Sequence, residues 1–241
     1  MTTINDTYIN AILADAAYVE NLNLNPSGSD LKDEIESRMT SDVAQYIADN
    51  FTVLHQEDNN SSILFESSFD ATVWEGKAGT NYAGQVYVSM RGSQQLLDFE
   101  EDLDLATSGL AHRQLVEMVN WWLRETTPVG QMAQQIKIDG INVPGPIIDW
   151  EDFVAADSVQ GTGVLSGVTS IHSVNGHSLG GYMATAFARI FGDQWTVESV
   201  NTFNSAGFLR AASFNIEDGF DQITETIGAK ELASDFYRAA A

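Results

Sequence analysis

Ser178 stands between two glycines, each two residues away, in Gly176-His177-Ser178-Leu179-Gly180, with Gly181 directly behind. A serine in this setting suits attack on a carbonyl carbon, because Gly-x-Ser-x-Gly is the pattern of a nucleophile elbow, a tight strand-to-helix turn that presents the hydroxyl. Any side chain at Gly176 or Gly180 would collide with the neighbouring strand or helix as the backbone turns. Attack on an ester creates an oxyanion, and an oxyanion needs donors. The amide of Leu179 is one, and a second must come from a loop that follows an earlier strand. Met90-Arg91-Gly92-Ser93 holds such a place: the glycine lets backbone approach, and the Ser93 hydroxyl adds a donor. On position alone, Gly92-Ser93 reads equally well as a plain turn.

These residues need elements to hold them. Ser170 to Asn175 leads into the elbow as a strand, and Leu179 to Phe191 follows as a proline-free helix that Gly192 should stop. Gln85 to Met90, with Val86, Val88 and Met90 alternating, is the clearest early strand. Before it come an opening helix over Thr7–Asn21, a loop over Asn21–Asp30, a helix capped at Thr40 or Ser41, and strands at Phe51–Leu54, Ile63–Glu66 and Asp70–Trp74. Leu110 to Arg124 has helical spacing, with Trp121 and Trp122 assigned to the core. Residues 126–167, rich in proline and glycine, are expected to be an insertion with one or two short helices. Ile147, Ile148, Trp150 and Phe153 there either staple it to the core or make it a mobile lid. Thr196–Phe203 gives a strand after the elbow helix, and Asp218–Arg238 a last helix.

Composition narrows the function. The 241 residues suit a single domain, 1–241, and 44% apolar content supports a proper core. With 34 acidic against 11 basic residues, the net charge of −23 repels nucleic-acid phosphates. There is no cysteine, hence no disulfide and no thiolate metal site. No apolar run approaches the ~18 residues of a membrane span, so no integral membrane segment is expected. The opening residues lack the pattern of a cleavable signal peptide.

The motifs together resemble a known family. Met90-Arg91-Gly92-Ser93, then Leu97-Asp98-Phe99 and Asp102-Leu103, is similar to the class 3 (fungal-type) triacylglycerol lipases. So are Ala111-His112, the elbow hexapeptide Gly176–Gly181, and Val200-Asn201-Thr202-Phe203-Asn204-Ser205-Ala206-Gly207. The resemblance covers residues 85–208 in patches. It implies an α/β-hydrolase fold, a mostly parallel sheet with helices on both faces, and hydrolysis of acylglycerols or phospholipids. It also implies Ser178 as nucleophile, with Ser93 and Leu179 as oxyanion donors.

One part of the pattern is missing. Hydrolases of this fold order their triad Ser, Asp or Glu, His, yet no histidine follows Ser178. Of the four histidines, His177 is expected to be structural, His172 packed in the core or against a helix layer, His55 on the surface, and His112 to match a family residue that is not the base. Asp218, Asp221 and Asp235 follow Ser178, but none ends a convincing strand, so no acid is assigned. The preferred explanation is that the chain is the N-terminal part of a larger hydrolase whose last strands lie downstream. The alternative is a catalytically incomplete lipase-like module that binds lipid or a protein partner. The acidic run over residues 100–104 reads as a solvated face rather than a calcium site. No cofactor is expected, calcium entering only in a longer chain, and the resemblance favours an extracellular protein over a cytoplasmic one. The oligomeric state is left open.

Overall fold

The computed structural model describes residues 4–22, 28–57, 69–92, 111–139, 152–205 and 216–228, which fall into two compact units. The first holds three helices, α1 (Ile4–Ala16), α2 (Gly28–Ile35) and α3 (Ser41–Asn50). It also holds strands β1 (Phe51–Glu57), β2 (Asp70–Gly76), β3 (Val86–Arg91), β6 (Ser173–His177) and β7 (Val200–Phe203). These strands form one sheet in the order β1-β2-β3-β6-β7. The sheet is mixed: β1, β2 and β3 pair antiparallel, while β3, β6 and β7 run parallel.

Apolar spacing explains the helices. Ile9, Ile12, Leu13 and Ala16 bury one face of α1, which packs across β3, β6 and β7. Leu31 and Ile35 do the same for α2, which begins within the last residues of the loop expected over Asn21–Asp30 and continues through a stretch to which no element was assigned. Ala44, Ile47 and Ala48 of α3 complete a core with Phe51, Trp74, Tyr82 and Tyr87. Register slips between Val53 and His55, a bulge that re-aims side chains. His55, expected at the surface, is half-buried with its Nε2 3.6 Å from the Glu57 carboxylate.

The second unit contains α4 (Ala111–Thr126), α6 (Ile216–Thr226) and a two-stranded antiparallel sheet of β4 (Met132–Asp139) and β5 (Asp152–Gln160). Strands stand where short helices were expected, because the proline and glycine residues fall outside them. Pro128 and Gly130 precede β4, Gly140, Pro144 and Pro146 lie between the strands, and Gly161 and Gly163 follow β5. Phe153 is buried on β5, as a core staple; Ile147, Ile148 and Trp150 lie outside the described residues. Asn120 of α4 brackets Ile136 of β4, donating to its carbonyl and accepting from its amide. Phe153 N–H donates to Gln222 of α6, and the Thr226 hydroxyl returns a bond to Phe153 O.

Helix α5 (Leu179–Trp195) follows the elbow and does not stop at Gly192. Trp195 packs edge-on against Phe191 and against Trp122, both fully buried. Covering those aromatic faces outweighs the ~1 kcal/mol that a mid-helix glycine costs relative to alanine. Trp121 and Trp122 are core residues. Among the described residues no helix is long and apolar enough to cross a membrane.

Candidate active site

The parallel strands set the site. Met90 of β3 pairs with Gly176 of β6, so the two strands end level, with Gly92 opposite Ser178. Ligands in open α/β sheets gather at the C-terminal ends of parallel strands. Ser178 leaves β6 with φ +56°, a left-handed conformation rare outside glycine, and its amide donates to Phe203 O at the end of β7. Such a conformation costs a serine about 1 kcal/mol and persists only where the surroundings dictate it.

They do so here through contact. A Cβ at Gly176 would lie 2.2 Å from the Gly180 carbonyl oxygen, and one at Gly180 would lie 2.1 Å from that of Met90. The turn closes because neither glycine has a side chain. Ser178 is half-buried, and its hydroxyl has no hydrogen-bond partner among the described residues. Nor does any acceptor among them engage the amide of Leu179, the first residue of α5. A free amide at a helix start carries the positive end of the helix dipole.

Gly92 closes on this amide. Its Cβ position lies 3.3 Å from Leu179 N and 2.9 Å from His177 O. The Gly92 N–H donates to the Tyr18 hydroxyl at 3.1 Å, so it is not itself a free donor. Ser93, expected to supply the second oxyanion donor, lies outside the described residues, as do the acidic run at 100–104, Ile63–Glu66, and Ala206 and Gly207. Arg91 is buried behind the loop and pairs with the equally buried Asp70 at 3.1 Å. The pair anchors the end of β3, since separating buried charges is costly.

Tyr18, which no local motif marks, follows α1 in a tight turn. Its Oη lies 3.3 Å from His177 Nδ1. Gly92 donates to that oxygen, and the bond between Oη and Nδ1 forms with either ring tautomer, the phenol donating to a bare Nδ1 or accepting from Nδ1–H. Burial pushes the Tyr18 hydroxyl above its ordinary value, outweighing the Gly92 bond and the nearby arginines, so it stays a neutral phenol.

The remaining histidines stand elsewhere. His172 was expected in the core or against a helix layer; it is partly exposed, bonded to Glu198 at 2.9 Å and edge-on to Tyr87. It immediately precedes β6, and Ser178 immediately follows it, roughly 20 Å away by strand rise. His55 lies on the row of Val73, Val88 and Val174, three strands across and four residues short of Ser178, again roughly 20 Å. His112 belongs to the second unit, where burial against Phe153 holds it below the usual histidine range. Asp221 is exposed on α6, Asp218 lies in the same helix with its side chain outside the described residues, and Asp235 lies outside them altogether.

Neither a family model nor a curated protein matches the chain. A solved structure, described as a crystal structure of M37 lipase, is similar at a TM-score of 0.33 and 12% identity, over 84% of this chain and 58% of that one. The chain thus spans less than two thirds of that lipase. A likeness of this size identifies neither a fold nor an activity.

Proposed function

We propose that this chain carries the nucleophile half of a serine carboxylester hydrolase of the α/β-hydrolase type, acting on acylglycerols or phospholipids. The left-handed Ser178, set between β6 and α5 beside an unbonded Leu179 amide, is the observation that supports it. Ser178 Oγ attacks the ester carbonyl carbon, and its proton passes to a base. The oxyanion is held by the amide of Leu179 and by Ser93, the alcohol leaves with a proton, and water then releases the acid from the acyl-enzyme. The base and its partner acid would come from a segment beyond the described residues or from an associated chain. The chemistry needs no cofactor, and the family resemblance suggests an extracellular setting.

A fluorophosphonate probe tests this reading. Labelling confined to Ser178 and lost in Ser178→Ala is expected; a protein that stays unlabelled, also when a histidine-bearing downstream segment is added, sinks it. A second reading, a catalytically incomplete module that binds lipid or a protein partner, is favoured by one observation. In this unit the one described histidine near Ser178 is His177, and its Nδ1 is engaged by Tyr18. Vesicle flotation that persists in Ser178→Ala, with no ester turnover in either protein, would decide for it.

A further inference from the structure

We infer that Tyr18 is a positioning residue for the proposed ester-hydrolase site, its hydroxyl tying Gly92, at the end of β3, to the elbow so that the Ser178 hydroxyl and the Leu179 amide keep their places. The inference rests on the reading just proposed. One oxygen touches both parts: Tyr18 Oη accepts from Gly92 N at 3.1 Å and lies 3.3 Å from Nδ1 of His177, the residue before Ser178. A displacement of about 1 Å in the Leu179 amide or the Ser178 hydroxyl is enough to cost about 100-fold in rate.

Tyr18 can set position because it is itself held. Gln56, buried on β1, donates to Val19 O at 2.7 Å and accepts from Leu22 N at 2.7 Å, clamping the turn on the C-terminal side of Tyr18. A third bond to Thr72 ties the clamp to β2. The Arg38 guanidinium lies 4.4 Å over the Tyr18 ring and is fixed in turn by Asp15 at 2.7 Å. Ring, turn and hydroxyl are thus each bound to a different element.

Tyr18→Phe keeps the ring and removes the hydroxyl. Phosphonylation by a fluorophosphonate, followed over probe concentration, separates the maximal rate from the half-saturating concentration. The expected result is a maximal rate lower by about 10–100-fold, with the half-saturating concentration unchanged and one cooperative unfolding transition retained. A variant that folds and reacts at the wild-type maximal rate overturns the inference while leaving the proposed function intact. A wild-type protein that is not labelled at Ser178, also when a histidine-bearing downstream segment is added, removes both. Should the variant not fold, the wild-type His177 ring decides by nitrogen NMR. An Nδ1 resonance shifted by a hydrogen bond, in either tautomer, supports the bond to the Tyr18 hydroxyl, and an Nδ1 resonance at the position of a nitrogen without one overturns it.

Discussion

The backbone nitrogen of Leu179 and the α-carbon of Gly92 face each other so closely that a Cβ at residue 92 would sit 3.3 Å from that nitrogen and 2.9 Å from His177 O. Two segments far apart in sequence therefore approach so closely that a methyl group does not fit between them without a shift. Gly92→Ala should push the loop away from the elbow. The expected outcome is phosphonylation at Ser178 slowed by at least ~10-fold and a stability loss of ~1–3 kcal/mol in denaturant melts.

Two glycines of one helix should respond in opposite directions. A Cβ at Gly180 meets the Met90 carbonyl oxygen at 2.1 Å, a backbone atom that cannot step aside. Gly192 has nothing within 4 Å of its Cβ position and no left-handed φ. Gly180→Ala should thus lower the unfolding midpoint sharply, by the equivalent of ~2 kcal/mol or more. Gly192→Ala should raise it by ~0.5–1 kcal/mol. Equal effects from the two would contradict the close approach at the elbow.

Replacing the serine by glycine separates chemistry from strain. Ser178 holds φ +56°, which glycine adopts freely. Ser178→Gly should gain up to ~1 kcal/mol in stability, less what glycine's looser unfolded chain returns. It should lose all labelling. Ser178→Ala keeps the strain and should show no comparable gain.

Acid sensitivity should arise in the second unit. Burial holds His112 below the ordinary value of 6.5, so the unfolded chain takes up a proton that the folded one refuses. The stability this provides is complete above pH 6.5 and is lost as pH falls through the lower folded-state value. Thermal midpoints recorded downward from pH 7.5 should therefore fall, and fall less in His112→Leu. Parallel curves would contradict it.

What could be read from residues alone was what is local. The elbow spans Gly176 to Gly181, and its glycines, strand and helix are all within a few residues of Ser178. The β3 end beside it was visible through the alternation of Val86, Val88 and Met90. Tyr18 was not, because its partners Gly92 and His177 are 74 and 159 residues away, and a lone tyrosine after a helix has no distinguishing neighbours. Gly192 misled because a stop signal worth ~1 kcal/mol competes with aromatic packing that no single stretch displays. The β4–β5 pair was hidden twice. Its register slips between Ala133 and Gln135, breaking the alternation that marks a strand, and proline and glycine crowd its flanks. His172 and His55 went astray because whether a strand histidine is covered depends on neighbours supplied by other segments, Tyr87 and Glu198 for one and a bulge for the other.

The most direct measurement is the mass of the peptide containing Ser178 after the protein meets an activated acyl ester and is quenched in acid. The expected result is one acyl group on Ser178, absent in Ser178→Ala and slower to accumulate in Tyr18→Phe. Acyl groups found only on lysines, or none on a fully recovered Ser178 peptide, would contradict a nucleophile at the end of β6.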